Sequence, residues 1–344
     1  MVPSAEFRSY YGRPVLKAPV WGPAVPAYLF TGGLAAGSAL LAAGADLTGR
    51  AGLRRAARLT AVGAVGASGF FLISDLGRPE RFHHMLRVAK PTSPMSMGTW
   101  ILTAFGASAG VAAAGELGPW LPGRGPFGLA RRSLPGVGRA AGLAAAGFAP
   151  ALATYTAVLL ADTASPSWHE AYPELPFVFA GGALASAAGA ALVAAPVGEA
   201  GPARRFAVTG AALELAAAHR VETGHGLLSE PYRTGRAGRL LRAAWALTAA
   251  GVAGALLGRR NRALSAASGG LLMVASALTR FGIFEGGVAS AKDPKYTVLP
   301  QRERLDARSE AGLPNHQGNP VTPARQQLAD DRVAGHLAGH QQAS

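Results

Sequence analysis

The sequence predicts an all-α, polytopic membrane helix bundle of about eight transmembrane helices. Three observations predict it. Apolar residues make up 49% of the 344-residue chain and charged residues only 15%, well below the roughly 25% of a soluble domain. The apolar residues are gathered in long blocks instead of being spread along amphipathic elements. Those blocks match the about 20 residues that a helix needs to cross a hydrocarbon core of about 30 Å.

The spans fall near residues 24–45, 56–76, 97–117, 139–161, 176–195, 203–221, 240–258 and 263–283. The sixth stands apart, because its apolar run from Phe206 to Ala218 is short and contains Glu214. Blocks of this length exclude the short alternating strands of a membrane barrel. Residues 1–23 carry Arg8, Arg13 and Lys17 with several prolines and no apolar run, so no cleavable signal is visible and the first span is expected to direct insertion. The organisation is thus an extramembrane segment over 1–23, a bundle over 24–285 and a polar tail over 286–344. The tail is rich in Gln, His, Pro, Arg and Asp without periodicity, and is expected to be extended or disordered. Its His316, His336 and His340 read as solvated residues. Glycines four apart, Gly33 with Gly37 and Gly106 with Gly110, suit close helix packing.

An even number of spans puts both termini on one side, with loops 77–96, 162–175 and 222–239. The short loops 46–55, 118–138, 196–202 and 259–262 lie opposite and are dense in arginine, including Arg50, Arg54, Arg55, Arg124, Arg131, Arg132, Arg204, Arg205, Arg259, Arg260 and Arg262. Loop 162–175 has no Lys or Arg but has Asp162, Glu170 and Glu174. The positive-inside rule therefore places the arginine-rich loops in the cytoplasm. Both termini and the 77–96 loop are then extracytoplasmic, on a multi-pass protein of the cell membrane.

The formal charge of +14 raises the question of nucleic acid. No basic helix face and no aromatic–basic interleaving is present, so a basic membrane protein is the better reading. The chain has no cysteine, which excludes disulfides, thiolate catalysis and Cys-ligated iron–sulfur clusters within it. Of the histidines only His219 falls in a span, while His83, His84, His169 and His225 are in loops. Paired axial ligands for a membrane haem are therefore not expected. The stretch GVGRAAG (Gly136 to Gly142) has the look of a nucleotide-binding turn, but no strand precedes it and a span follows.

The informative loops lie on the side of the termini. One reads DLGRPERFHHMLRVAKPTSPMSMGTW, Asp75 to Trp100; loops this long are usually functional or linkers. Asp75 stands at the membrane boundary beside Arg78, either as an interfacial ion pair or as a ligand or proton contact. Ionisable residues at membrane depth are functional candidates by default. Glu214 reads either as a neutral acid hydrogen-bonded in the bundle or as part of a proton path. Tyr155, flanked by Thr154 and Thr156, lies in the fourth span and needs a hydrogen-bond partner. Trp21, Trp100 and Trp168 fall at expected interfaces, where tryptophan forms belts.

Three segments carry a family resemblance: WGPAVPAYLFTGGLAAG (Trp21 to Gly37), DLGRPERF with PTSPMSMGTW, and YTAVLLADTASPSWHEAYPELPFVFAG (Tyr155 to Gly181). In this order and on these spans they resemble the NrfD/PsrC family, the polysulfide-reductase-type membrane subunits, over roughly residues 10–285. The resemblance implies an eight-helix membrane anchor without a redox centre of its own. It implies as partners a four-cluster-type iron–sulfur subunit and, through it, a molybdopterin catalytic subunit. It further implies exchange of electrons between the nearest cluster and a membrane quinone, menaquinone or ubiquinone, with no haem and no iron–sulfur cluster in this chain. Tyr155 matches the family's fourth-span tyrosine, with Ala157 where the pattern has glycine. Asp75, Arg78 and Pro79 match its DLxxP segment. Tyr28, Thr31 and Ser38 are what the first span offers where relatives carry Asn or His. Read with the resemblance, Tyr155, Asp75, Arg78 and Tyr28 are expected at quinone binding or proton transfer, and Glu214, from its place inside a span, is the further candidate for that role. The resemblance assigns Arg81, His83, His84, Pro91, Thr92, Ser93, Pro94 and Trp168 to partner docking.

The chain is thus expected to be a non-catalytic-centre subunit of a respiratory oxidoreductase complex. The partner's substrate is open among formate, polysulfide, thiosulfate and tetrathionate, with the formate-dehydrogenase type favoured. The competing readings are a multi-pass transporter, which would show repeats or midplane polar residues, and a ligand-free membrane scaffold.

Overall fold

A computed structural model describes residues 14–310 apart from Leu121, Gly123 and Arg124. Two compact units divide the chain: one holds residues 18–290, and the other holds the flanking residues, 1–17 and 291–344. The tail histidines His316, His336 and His340, and Arg124 among the connector arginines, lie outside the described residues.

The larger unit is all-helical among the described residues. Its long helices are α1 (Ala24–Leu47), α2 (Ala51–Ser74), α3 (Pro94–Gly115) and α4 (Gly125–Ala161). After the short α5 (Pro166–Glu170) come α6 (Leu175–Ala194) and α7 (Gly201–Thr223). The four-residue α8 (Glu230–Arg233) precedes α9 (Gly235–Leu257) and α10 (Arg262–Lys292). Among the described residues seven of these are long and apolar enough to cross a membrane. The eighth long helix, α7, carries Arg204, Arg205, Glu214, His219, Arg220 and Glu222 and does not meet that composition. Its 23 residues are nonetheless the length of its neighbours, about 34 Å at 1.5 Å per residue.

Helix α6 is the hub. It packs on α1, α2, α4 and α7, and it is the most apolar of the long helices. In lipid, water does not drive helices together, so close backbone approach must. Gly37 on α1 faces α6: a methyl group there would stand 2.8 Å from the Ala187 Cβ. Gly181 and Gly210 press α6 against α7, each within 2.7 Å of the other's carbonyl oxygen were it to carry a Cβ. Gly189 and Gly269 do the same for α6 and α10. The Gly33–Gly37 pair therefore serves packing as expected. Gly110 has open space around it, and Gly106 meets only Val65 at 3.6 Å, so that pair makes no comparable contact. The Gly136–Gly142 stretch is helical. Gly138 lets α4 cross α3 at Gly115, and Gly142 leaves room for the Arg58 guanidinium.

Three sequence expectations need correction. The 118–138 connector is largely helix, because α4 begins at Gly125 and runs 37 residues; its Arg-rich start masked the helical continuity. The region from 286 onward is not extended where it is described. α10 continues to Lys292, and in the smaller unit α11 (Lys295–Glu310) is helical around Pro300. Low apolar content hid a helix that carries Arg, Glu, Gln and Leu, all good helix formers. Trp168 is wholly enclosed instead of facing a partner or the interface. Its ring stacks on Trp21 at 6.0 Å between centroids, it contacts Phe284, and its indole N–H donates to the Ile283 carbonyl at 2.8 Å.

At the end of the bundle where α1 meets α2, charge is concentrated and paired. Glu116 accepts from Arg54 at 2.7 Å and from Arg58 at 2.9 Å, and Asp46 lies within 3.2 to 3.6 Å of Arg54, Arg58 and Arg139. Burial pushes the Glu116 carboxyl up, but the Arg54 hydrogen bond and the charges of Arg54, Arg58 and Arg55 outweigh it and hold the group below its usual value. A carboxylate with a depressed folded value stabilises above its unfolded value and loses that contribution as pH falls through the folded one. Thermal stability in detergent is therefore expected to decline below the ordinary carboxylate range, and Glu116→Gln is expected to flatten part of that decline; an unchanged pH–melting curve in the variant would contradict the assignment. Gly210→Val is expected to cost about 1–3 kcal/mol by overpacking, whereas Gly63→Ala, with open space around it, is expected to leave the melting temperature unchanged or raised.

Candidate functional site

The opposite end of the bundle is built by the residues before α1, the end of α2, the start of α3 and the last turns of α4. The chain leaves α2 at Asp75 and forms a 3₁₀ helix over Pro79–Leu86. It re-enters at Pro94, where Pro occupies the first helical turn and the Ser93 side chain accepts from the Ser96 amide. The N-terminus of such a helix leaves amides without partners, and this cap satisfies one of them. The Ser96 hydroxyl ties the loop back to itself, donating to the Val88 carbonyl at 3.0 Å and accepting from the Lys90 amide at 3.0 Å.

Between these elements lies a cavity of about 250 Å³. Its walls are mostly apolar: Trp21, Val25, Leu72, Met85, Met95 and Leu159 are among them. Four polar side chains reach it, Tyr28, Asp75, Thr99 and Tyr155. Met95 is about half exposed, so the cavity meets the surface past the start of α3. An apolar pocket with a few convergent polar groups is the default form of a small-molecule site. Its volume falls just below the range of about 300–1,000 Å³ usual for such sites and suits a planar head group more than a long chain.

Each polar group is held by packing or backbone. Tyr28 is buried on the inner face of α1. Tyr155 is half-buried, and its ring lies against Gly98, where any Cβ would fall inside the ring. Asp75 accepts from the Gly22 amide at 3.1 Å, pinning the segment before α1 to the end of α2. Of the two readings for Asp75, the ion pair with Arg78 does not form among the described residues, and the Gly22 amide is its partner instead. One turn deeper, the Ser68 hydroxyl donates to Thr31 Oγ1 at 2.8 Å and joins α2 to α1.

Of the five residues expected at the quinone site, three line this cavity: Tyr155, Asp75 and Tyr28. Arg78 is exposed on the adjoining loop. Glu214 is not brought to the cavity. It is enclosed in the bundle interior on α7, on one side of Gly182 from Arg280 of α10: a Cβ at Gly182 would stand 2.9 Å from both Glu214 Oε1 and the Arg280 guanidinium. Arg280 donates to the Phe179 carbonyl at 2.7 Å and lies 4.3 Å from the Phe179 ring centre. Among the docking candidates Arg81, His83, His84, Pro91 and Thr92 are exposed, Ser93 and Pro94 form the start of α3, and Trp168 is core. Sequence reasoning missed four things: Thr99, Gly98, the Trp21–Trp168 stack and Arg280. Arg280 falls within the 263–283 span but drew no reading of its own, and α10, which runs from Arg262 to Lys292, holds it deep in the bundle.

Fold and site define a multi-pass membrane protein with a small apolar pocket at one end of its helix bundle, capped by a polar loop. The chain matches the family model described as NrfD, polysulphide reductase, over residues 15–199, and it belongs to that family. The match takes in α1 through α6 and every residue that lines the cavity. The family is that of membrane subunits of polysulphide-reductase-like oxidoreductases. No curated protein matches the chain.

Removing the Asp75 acceptor would leave the Gly22 amide without a partner. Asp75→Ala is expected to speed hydrogen exchange at Gly22 and the first turn of α1, with Asp75→Asn, which retains an oxygen, having the smaller effect. Equal exchange in all three proteins would contradict the bond's role.

Proposed function

We propose that this chain is the membrane anchor subunit of a molybdopterin/iron–sulfur oxidoreductase and that the cavity beside Tyr155 takes the head group of a membrane quinone. The observation that carries the reading is the convergence of Tyr28, Asp75 and Tyr155 on one apolar cavity. These residues are 127 positions apart at the extremes, since Tyr28 and Tyr155 stand at opposite ends of the set.

A bound quinone supplies two-electron, two-proton chemistry. The chain's own residues supply the setting. Apolar walls from Val25, Leu72 and Leu159 exclude water and flank a flat ring. The Tyr155 phenol is placed to donate a hydrogen bond to a quinone oxygen, and Gly98 fixes its ring. Asp75, tied to the Gly22 amide, sits at the solvent-facing rim and is placed to exchange protons between the loop water and the cavity. The exposed Arg78, Arg81, His83 and His84 surround this end and offer a basic face to an iron–sulfur partner, which brings its nearest cluster toward the cavity. The arginine-rich connectors at the other end favour the cytoplasm for that end by the positive-inside rule, which supports a cavity and partner on the outer side. The partner's catalytic chemistry is of the formate-dehydrogenase or polysulfide-reductase type.

The test is a quinone titration of the detergent-purified chain, followed by the same titration on the complex co-purified with its partners. Tyr155→Phe is expected to weaken binding roughly two- to tenfold, the range for one lost hydrogen bond, and Asp75→Asn to weaken it less. Absence of saturable binding in both the chain and the complex would overturn the reading.

A further inference from the structure

The arginine-rich end of the bundle carries a second hollow, of about 440 Å³, between the start of α7 and the end of α9. Arg204, Arg205 and Arg259 line it together with Val208, Thr209 and Leu256. Arg204 is fixed by backbone: its Nε donates to the Ala255 carbonyl at 3.2 Å, and its Nη2 donates to the carbonyls of Val197 at 3.3 Å and Arg259 at 3.4 Å. These bonds hold the guanidinium against the end of α9, next to Arg259. Arg205 and Arg259 are exposed, and neither forms an ion pair among the described residues.

This differs from the other arginine cluster at the same end. There Arg54, Arg58 and Arg139 surround Asp46 and Glu116, and the acids offset the charge. The lining of the α7–α9 hollow contains no carboxylate. Three like charges gathered round one space repel one another and call for an anion from outside the chain. The rest of the wall is apolar: Val208 and Leu256 are each about 40% exposed on helix faces that look outward from the bundle. The hollow therefore joins a cationic rim to a hydrocarbon-facing floor.

We propose that this hollow binds the phosphate head group of an anionic phospholipid, with an acyl chain lying along Val208 and Leu256. Guanidinium groups pair with phosphate oxygens through short, charge-assisted hydrogen bonds, and basic pockets between membrane helices are fitted to anionic head groups. A soluble phosphate would use the arginines but leave the apolar floor uncovered. The proposal is independent of the quinone reading, since it concerns the other end of the bundle.

The test is native mass spectrometry of the detergent-purified full chain titrated with phosphatidylglycerol or with phosphatidylcholine, with and without millimolar inorganic phosphate. Three proteins are compared: wild type, the double variant R205Q/R259Q, and R132Q, which removes an exposed arginine elsewhere. Wild type and R132Q are expected to bind phosphatidylglycerol about tenfold or more tightly than phosphatidylcholine, with inorganic phosphate unable to displace it. R205Q/R259Q is expected to lose the preference with its melting temperature in phosphatidylcholine unchanged. Equal binding of the two lipids by wild type would overturn the proposal, as would an unaltered preference in R205Q/R259Q. Full displacement by inorganic phosphate would overturn it in favour of a free-anion site.

Discussion

Close approach of helix backbones at small residues is the contact on which the rest of this structure depends. Gly37 against Ala187, Gly181 against Gly210 and Gly189 against Gly269 let α1, α7 and α10 pack on α6 at distances that any larger side chain would prevent. In hydrocarbon this dispersion contact, together with helical satisfaction of the backbone, replaces the water-driven collapse of a soluble core. It also explains why α7 keeps its place despite Arg204, Arg205 and Glu214. The glycine contacts to α6 hold it, and its one interior acid has Arg280 as a nearby opposite charge. A buried acid with a buried base close by is weak evidence for stability, but removing either one alone leaves an uncompensated charge.

The tight centre leaves the two ends free to differ. At the Tyr155 end the helices separate enough to leave a cavity, and the loop from Asp75 to Pro94 covers it. The polar atoms there are few and individually anchored: Asp75 by the Gly22 amide, Tyr155 by Gly98, the start of α3 by Ser93. Such anchoring sets orientation, which is what a site for a small planar ligand needs. At the other end the chain gathers arginines. Some neutralise Asp46 and Glu116 and bind α2 to α3. Others cap carbonyls, as Arg262 does for Leu192 and Ala195. Those around the α7–α9 hollow have no acid beside them.

Much of this was legible in the residues. Apolar block length located the seven helices that are long and apolar enough to cross a membrane, because lipid imposes a near-constant span, while the short run from Phe206 to Ala218 marked only part of α7. The loop Asp75 to Trp100 and Tyr155 were marked by polar chemistry where a membrane protein otherwise avoids it, and the structure brings Asp75, Tyr155 and Tyr28 together. What was not legible depends on tertiary placement. Trp168 has the composition of an interfacial belt residue, yet the short α5 turns it inward onto Trp21 and Phe284. Arg280 lies inside an expected span, but its contacts with Phe179 and its place beside Glu214 across Gly182 depend on how α6, α7 and α10 pack. The start of α4 and residues 286–310 are helical with too few apolar residues to be read as spans. Gly98 lies within the PTSPMSMGTW segment, but its role, the space that it leaves for the Tyr155 ring, is a tertiary contact that the segment does not show.

The central claim is that the cavity between α1, the Asp75–Pro94 loop, α3 and α4 holds a quinone head group. Photoaffinity labelling of the purified chain with an azidoquinone, followed by peptide mapping, tests it most directly. The account predicts label within residues 20–28, 72–99 and 155–159, suppressed by excess unlabelled quinone. Competed label confined to other helices, or label at these residues that excess quinone leaves unchanged, would contradict it.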